Sequence, residues 1–226
     1  MSAREPVLVL IDCQEGFHDA AFWGPRNNPE AEGRVARLLA AWRGHRLPII
    51  HVRHASQMKG SPLGADNAGH QFMGVAEPTG DEPVVTKSVN SAFIGTDLET
   101  RLNKLGRPPI VVAGVTTDHC VSTTVRMAAN LGFAVVLAGD ACFTFDREDP
   151  SGRTIPAESV HRANLASLHG EFADVRPTER IVADLGGSLQ PRPREGWTPW
   201  SGSQTSASGA PVCQKTSIGI PPRGLK

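Results

Sequence analysis

The sequence lacks the features that mark several large classes of protein. None of its apolar runs approaches the ~18 residues that a membrane-spanning helix needs. Lysine plus arginine and aspartate plus glutamate each number 23, so the formal net charge is zero and a broad nucleic-acid footprint is not expected. Four cysteines in 226 residues do not make a disulfide framework. The first residues carry an acidic residue and a proline before a short apolar run, which is not a signal-peptide pattern. We therefore expect a cytoplasmic protein with reduced thiols.

The composition divides the chain into two parts. Hydrophobic residues make up 39% and charged residues 20%, which is enough apolar material to close a core. From residue 187 onward glycine, proline and serine dominate, and Trp197 and Trp200 have no periodic apolar neighbours. Such a segment cannot bury enough apolar surface to offset the entropy of ordering its backbone. We predict one domain over 1–186 and a disordered tail over 187–226.

Short apolar runs alternate with helical patterns along the predicted domain. The six predicted strands are Val7–Ile11, Pro48–Val52, Pro83–Thr86, Ile110–Gly114, Ala134–Ala138 and Phe172–Val175. The predicted helices are 29–43, one that begins with the capping-box spacing Thr96 to Glu99 and ends at Gly106, 118–131, 157–169, and a short one from Thr178. Apolar strands separated by helices indicate a parallel sheet covered on both faces. With right-handed crossovers, the prediction is an α/β fold: a doubly wound three-layer α/β/α sandwich around a six-stranded parallel sheet.

Three chemically active side chains follow strands of this sheet, at the edge where such folds bind ligands. Asp12 follows the first strand, Lys87 the third, and Cys120 lies in the turn after the fourth. Taken singly, each has an ordinary structural explanation as a turn residue, a solvated cation or a small buried side chain. Together they favour nucleophilic catalysis. A thiol in the first turn of a helix and beside a cation is expected to have a lowered pKa, and a nearby carboxylate can take its proton.

Three separated motifs also resemble a known family. They are Val9–Gln14 with Phe17, Lys87 followed by Ser91–Phe93, and Gly114–Val121. In this order they are similar to those of the isochorismatase-like cysteine hydrolases, which include nicotinamidases, N-carbamoylsarcosine amidases and ureidoacrylate amidases.

The resemblance implies a catalytic triad of Asp12, Lys87 and Cys120. It also implies a cis peptide bond between Val115 and Thr116, which turns the Thr116 N–H toward the substrate oxygen. The N–H groups of Thr116 and Cys120 would then form an oxyanion hole. In the strand order 3-2-1-4-5-6 that suits the family, strands 1 and 4 are neighbours, so Asp12 and Cys120 meet. No cofactor is required, and a homo-oligomer is expected because members of the family often assemble.

The chain departs from two groups within that family. Nicotinamidases hold a metal with an Asp-x-His after strand 2 and a further histidine, but here the region reads His51-Val52-Arg53-His54 and lacks the aspartate. Residues i and i+3 of a strand face opposite sides, so His51 and His54 are not expected to share an ion, and we predict no metal site. Members that cleave a vinyl ether lack the cysteine, whereas Cys120 favours attack on a carbonyl carbon.

The pocket walls are predicted from residues in the loops beyond the strands. Phe17, Trp23 and Phe93 lie in the loops after strands 1 and 3, which favours an apolar, planar substrate group. His54 is placed at the rim of the pocket, as a further substrate-binding residue. His119 adjoins Cys120, but adjacent helical residues do not face each other, so a structural role is expected for it.

We thus predict a thiol amidohydrolase that cleaves a C–N bond in a small molecule bearing an amide or a ureide group. Two alternatives remain at this point. In the first, Cys120 cycles through a sulfenic acid that Cys13 resolves; strand alternation argues against it, because Asp12 and Cys13 face opposite sides. In the second, the protein binds a ligand in the same pocket without turnover.

Overall fold

A computed structural model describes residues 5–186 and residue 189. Eight strands form in this part of the chain: β1 (Val7–Ile11), β2 (Ile49–His54), β3 (Val84–Lys87), β4 (Ile110–Val115), β5 (Val135–Phe143), β6 (Arg147–Glu148), β7 (Thr154–Ile155) and β8 (Asp174–Arg176). Six of them make one all-parallel sheet in the order β3-β2-β1-β4-β5-β8. The short strands β6 and β7 pair as a separate antiparallel hairpin. The doubly wound prediction and its strand order are confirmed.

Helices cover both faces of the sheet. They are α1 (Ala20–Trp23), α2 (Ala31–Gly44), α3 (Leu98–Lys104), α4 (Ser122–Asn130), α5 (Ala157–Leu168) and α6 (Thr178–Asp184). Single 3-10 turns occur at Glu15–His18, Ala68–His70 and Gly74–Ala76. Two hydrophobic clusters lie on opposite sides. The first joins Leu8 and Leu10 to α2 and α6, and the second joins Val7, Val9 and Ile11 to α3, α4 and α5. This alternation along β1 follows from the period of two of a strand.

Helix α2 shows how the sequence pattern positions an element. Its buried side chains include Val35, Leu38, Leu39 and Trp42, which is the predicted apolar face. The predicted end at Gly44 is off by one residue, since Gly44 is the last helical residue and Arg46 takes the left-handed conformation with φ 56°. The predicted helix face is confirmed.

The capping box predicted at Thr96 is wrong in detail. Asp97 is the N-cap of α3, and its side chain makes no capping bond. The Thr96 hydroxyl instead accepts from Leu98 N at 3.3 Å and donates to the Ala92 carbonyl. Thr96 therefore ties the start of α3 to the loop that follows β3 through two local contacts, one of them to a residue four positions earlier.

Strand β5 is longer than the predicted segment, which ended at Ala138. Its pairing with β4 is regular to Leu137, then shifts so that Gly114 lies opposite Cys142 and Val115 opposite Phe143. The Gly139-Asp140 step looks like a turn in the sequence. In the fold both residues lie within β5, and the Asp140 carboxylate accepts from the backbone N and hydroxyl of Thr178.

The predicted tail begins at residue 187 and lies outside the described residues apart from Leu189. That side chain is 4% exposed and belongs to the cluster that contains α2 and α6. Leu189 therefore packs against the domain, and both the boundary at 186 and the tail stay predictions. In the part of the chain that the structure describes, no helix combines the length and the apolar character needed to cross a membrane.

Candidate active site

The ends of β1, β2 and β3 bring a carboxylate, an imidazole and an ammonium to one edge of the sheet. Ile11 pairs with Val52 in the β1–β2 register, and His54 pairs with Lys87 in the β2–β3 register. Asp12 follows β1 directly, and its backbone N donates to the Val52 carbonyl at 2.8 Å. The parallel register therefore sets these three side chains side by side.

The thiol of Cys120 lies in the turn that follows the neighbouring strand β4. The Val115–Thr116 peptide bond is cis, as the resemblance implied. Residues Thr117–Val121 then form one wide π-helical turn, in which the Thr116 carbonyl accepts from both His119 N and Val121 N at 3.2 Å. The expectation that Cys120 sits in the first turn of a regular helix is thus corrected, since α4 begins only at Ser122.

Gly114 allows β4 to approach β1 at this point. Its φ is 128°, and a Cβ added there would lie 2.0 Å from the Ile11 carbonyl oxygen. Only glycine meets both conditions, because any side chain would collide with backbone. The close approach of the two strands keeps the Cys120 turn beside Asp12.

The Lys87 ammonium lies at the centre of the site. Its Nζ is 2.6 Å from Asp12 Oδ2, 3.2 Å from Cys120 Sγ and 3.1 Å from His54 Nδ1. An ammonium has three N–H donors, so these three acceptors use all of them. The side chains of Lys87 and Asp12 are fully buried, and Cys120 is 8% exposed. The three predicted triad residues are together in space.

The same acceptors form a group with the spacing of a metal site. Asp12, His54 and Cys120 each offer one ligand atom, and these atoms lie within 4.8 Å of one another. The Lys87 ammonium, however, donates to all three. Because a cation of the chain already bonds one atom of each residue, a metal ion would have to displace Lys87, and the group does not suit a metal ion. As expected from strand alternation, His51 faces elsewhere and bonds Glu82 through Nε2 at 2.9 Å.

The electrostatics of the thiol differ from the prediction. Burial raises the pKa of the Cys120 thiol well above its ordinary value, the Asp12 charge raises it further, and Lys87 only partly offsets the two. For Lys87, burial lowers the pKa, but Asp12 and Cys120 together hold it above its ordinary value. One cation between two acids neutralises one negative charge. The resting site therefore holds the ammonium, one anion and one remaining acidic proton.

Two buried oxygen atoms of the site are without a hydrogen-bond partner among residues 5–186 and 189. They are Asp12 Oδ1 and Thr116 Oγ1. Buried polar atoms are almost always satisfied in folded proteins, so each such exception calls for an explanation. The second oxygen of Asp12 already bonds Lys87, which leaves Oδ1 as the atom with a lone pair available for a proton.

The aromatic residues predicted to line the pocket have packing roles in the structure. Phe17 is buried in the α2-side cluster, with its ring 4.9 Å from Trp23 and 6.2 Å from Phe145. Trp23 is half-buried and donates through Nε1 to the Gly16 carbonyl. Phe93 stacks on Phe133 at 5.9 Å. These contacts account for the burial of all three rings, and a substrate contact stays a prediction.

Cys13 and His119, the two neighbours of the triad in sequence, do not face the thiol. Cys13 packs in the α2-side cluster, whereas Cys120 belongs to the cluster on the other face. Cys13 Sγ is directed to the Ile11 carbonyl at 3.8 Å. His119 is half-exposed and faces Asp118 at 3.4 Å. The predicted placement of Cys13 on the opposite face agrees with this geometry. The structural role of His119 stays a prediction.

Sequence reasoning missed two side chains beside the triad. Gln14 is fully buried, and its carboxamide bonds both backbone polar groups of His54. Its place in the Asp-Cys-Gln motif was the available signal. Asn90 Oδ1 lies 3.8 Å from Cys120 Sγ, on an exposed loop residue. No pattern in the sequence marks Asn90, because its position depends on how the loop after β3 folds back over β4.

A thiol, a carboxylate and an ammonium at the carboxyl edge of a doubly wound sheet define an α/β protein equipped for hydrolysis at a cysteine. The isochorismatase domain model matches residues 6–180, and the chain therefore belongs to the isochorismatase family and is a hydrolase.

Three relatives agree with this assignment. Isochorismatase family protein YrdC of Bacillus subtilis is 38% identical over 182 residues, which cover 80% of this chain and 97% of the relative. Maleamate amidohydrolase of Pseudomonas putida is 27% identical over 204 residues, covering 80% and 87%. The crystal structure of an isochorismatase family hydrolase from Chromobacterium violaceum has a TM-score of 0.78 at 49% identity, covering 82% of this chain and 96% of that one.

Proposed function

We propose that this protein is a cysteine hydrolase that cleaves the C–N bond of an amide or a ureide in a small molecule. The observation that carries the proposal is the Lys87 ammonium, which bridges Asp12 Oδ2 and Cys120 Sγ at 2.6 and 3.2 Å in a buried site. A cation shared by a carboxylate and a thiol stabilises whichever of the two is ionised, so the proton can pass from the thiol to the carboxylate.

The first half of the reaction forms an acyl-enzyme. Asp12 removes the proton from Cys120, and the thiolate attacks the carbonyl carbon of the substrate. The backbone N–H groups of Thr116 and Cys120 donate to the oxygen on which negative charge develops. Asp12, now protonated, gives its proton to the leaving nitrogen as the C–N bond breaks. The products of this half are the free amine or ammonia and a thioester on Cys120.

The second half restores the thiol. Asp12 takes a proton from water, the hydroxide so formed attacks the thioester carbon, and the C–S bond breaks. The proton held by Asp12 returns to the sulfur. Lys87 transfers no proton in this scheme, since its charge balances whichever of the two acids is ionised. Every step uses residues of this chain alone.

The relatives support the amide class without naming the substrate. A relative bears the name maleamate amidohydrolase, and others bear the names nicotinamidase and streptothricin hydrolase. We extend to this chain only the shared chemistry, hydrolysis at a C–N bond. In keeping with reduced thiols, we propose the cytoplasm as its location, and on the family resemblance a homo-oligomer as its assembly.

A screen of small amides and ureides for release of ammonia or amine tests the proposal. The wild-type protein is expected to turn over at least one compound, and Cys120→Ala is expected to be inactive on it. Mass spectrometry of the protein during turnover should show an adduct on Cys120 that disappears when substrate is exhausted. An adduct that forms and never hydrolyses would support a binding protein without turnover and contradict the proposed hydrolase.

A further inference from the structure

The ammonium of Lys87 has a third acceptor that the hydrolytic scheme does not use. Asp12 and Cys120 take two of its hydrogens, and the third points to His54 Nδ1 at 3.1 Å. His54 is the last residue of β2 and lies directly opposite Lys87 in the β2–β3 register. A buried ammonium needs all three hydrogens satisfied, since each unmet donor of a charged group is costly.

We propose that His54 is a positioning residue of the site: as a neutral imidazole with its proton on Nε2, it accepts the third Lys87 hydrogen and holds the ammonium between Asp12 and Cys120. The inference rests on the proposed function in one respect, namely that the Lys87–Cys120 contact serves catalysis. The geometry of the imidazole itself is independent of what the enzyme hydrolyses.

The Lys87 contact fixes the tautomer of a neutral His54. Nδ1 faces an ammonium, which can only donate, so Nδ1 must carry a lone pair. A neutral imidazole has one N–H, so the proton then lies on Nε2.

Gln14 holds the imidazole in this place through the backbone of His54. Gln14 Oε1 accepts from His54 N at 2.7 Å, and Gln14 Nε2 donates to the His54 carbonyl at 3.1 Å. The ring of His70 also approaches that carbonyl through Nδ1 at 3.2 Å. The segment after β1 thus contributes both the Asp12 carboxylate and the Gln14 clamp. The contacts therefore form a closed loop: Gln14 bonds His54, His54 bonds Lys87, and Lys87 bonds Asp12, which follows β1 as Gln14 does.

The charges around His54 favour its neutral form. Burial lowers the pKa of His54, the Lys87 cation and His70 lower it further, and Asp12 partly opposes them. Cys120 is a further titratable group beside the ring, with its Sγ within 4.8 Å of a ring nitrogen. A protonated His54 would lose its acceptor and place a second positive charge beside Lys87. We therefore expect the productive arrangement to be lost in acid as His54 takes a proton, below the ordinary pKa of histidine.

Nitrogen NMR of the imidazoles in the full chain tests the tautomer directly. Two-bond ¹⁵N–¹H correlations distinguish Nδ1 from Nε2 and report the protonation of each ring. We expect His54 to carry its proton on Nε2 and to stay neutral at pH 6.5, the ordinary pKa of histidine. In Lys87→Met the titration midpoint of His54 should move upward. The proposal is overturned if the proton of His54 lies on Nδ1, or if the titration midpoint of His54 is the same in Lys87→Met as in wild type.

A pair of substitutions tests the positioning role without a substrate. Asparagine keeps an oxygen acceptor near the place of Nδ1 and does not titrate, whereas leucine keeps the bulk and removes the acceptor. The probe is iodoacetamide, and the readout is the rate of Cys120 alkylation by peptide mass spectrometry at fixed pH. We expect His54→Leu to slow alkylation by about tenfold, which is the size of one unmet hydrogen bond to a charged group. His54→Asn should stay within about threefold of wild type.

The matched controls are His45→Leu and His45→Asn. His45 is an exposed residue that caps α2 at the opposite edge of the sheet, so both controls should alkylate like wild type. Equal rates for His54→Leu and His54→Asn, whether fast or slow, would exclude a positioning role. If His54→Leu does not fold, the tautomer and midpoint in the wild-type protein still decide the question. Failure of the amide screen alone would remove the proposed substrate class and leave the His54–Lys87 contact unaffected.

Discussion

Lys87 Nζ lies 2.6 Å from Asp12 Oδ2, and both side chains are fully buried. An ion pair in such a place gains strong attraction but loses the hydration of both charges, so it adds little net stability and is destabilising when one partner is removed. The pair is best explained by what it does to the adjacent thiol. A single cation serves two acids, so one proton remains to be shared between Asp12 and Cys120.

The identity of the nucleophile is tested by a comparison of two cysteines. Cys120→Ala should abolish hydrolysis while substrate binding remains. Cys13→Ala should keep most of the activity, because Cys13 is buried in the cluster on the opposite face of the sheet from Cys120. Turnover of any amide found in the screen is the measurement. Equal loss in the two variants would favour the redox alternative, in which Cys13 resolves an oxidised Cys120.

Removal of the ammonium should make the thiol harder to ionise. The pKa of Cys120 is raised by burial and by Asp12, and Lys87 is the opposing influence. We expect the alkylation midpoint of the wild-type thiol to lie above the ~8.5 of free cysteine. Lys87→Met should slow alkylation of Cys120 at a given pH by at least about tenfold, which corresponds to one unit of pKa.

Lys104→Met is the control for that comparison, because Lys104 is an exposed residue at the end of α3. Circular dichroism establishes that each variant is folded. If folded Lys87→Met alkylated as fast as wild type, Lys87 would have no electrostatic role at the thiol.

Two glycine substitutions should have opposite effects on stability. At Gly114 an added Cβ meets the Ile11 carbonyl oxygen at 2.0 Å with φ at 128°, so Gly114→Ala should destabilise by more than ~4 kcal/mol or prevent folding. Gly33 lies within α2 and an added Cβ meets no atom within 4 Å. Gly33→Ala should therefore stabilise the protein by up to about 1 kcal/mol. Urea unfolding measures both, and a stable Gly114→Ala protein would contradict the described approach of β4 to β1.

The loss of folding stability in acid should depend on Glu82. This residue lies in the loop before β3 and bonds side chains of α2 and β2. Its carboxylate bonds Arg43 through two contacts of 2.8 Å and His51 at 2.9 Å. The bond from Arg43 is the main cause that lowers the pKa of Glu82 from 4.5 to about 2. A carboxylate with a depressed folded pKa stabilises fully above its unfolded value. That stability is lost as pH falls from 4.5 toward about 2.

Arg43→Met should therefore lower the free energy of unfolding at neutral pH by about 1–2 kcal/mol and flatten its fall in that acid window. Arg101→Met is the comparison, since the exposed Arg101–Asp97 pair should be worth about 0.3–0.5 kcal/mol. Denaturant unfolding between pH 4.5 and about 2 and at neutral pH measures the free energy of unfolding of both variants and of wild type. Parallel pH profiles for wild type and Arg43→Met would refute the assigned role of the Glu82 contacts.

The end of the folded part is tested at Leu189. This side chain packs into the α2-side cluster, so Leu189→Ala should destabilise by about 2–3 kcal/mol. A chain that ends after residue 190 should melt close to the full-length protein, whereas one that ends after residue 186 should melt several degrees lower. Equal melting temperatures for the two truncations would support the predicted boundary at 186.

The sequence by itself determined the class of fold and the three residues that meet at the sheet edge. Apolar strands such as Val7–Ile11 and the one-sided face of α2 must be buried, and alternation of strand and helix leaves a doubly wound sheet as the packing solution. Asp12, Lys87 and Cys120 could be placed at one edge because parallel strands all end on the same side. Strand periodicity also predicts that His51 and His54 lie on opposite faces of β2.

Only the tertiary structure decided the charge state of the thiol and the partners of the ammonium. A local rule expects a helix start and a nearby cation to lower a thiol pKa, but the burial of Cys120 and its approach to Asp12 outweigh them. The contact of His54 with Lys87, the clamp of Gln14 on His54 and the burial of Leu189 all join segments that are distant in the chain. Such contacts depend on strand register and on how loops fold over the sheet edge, and neither is encoded in residue spacing.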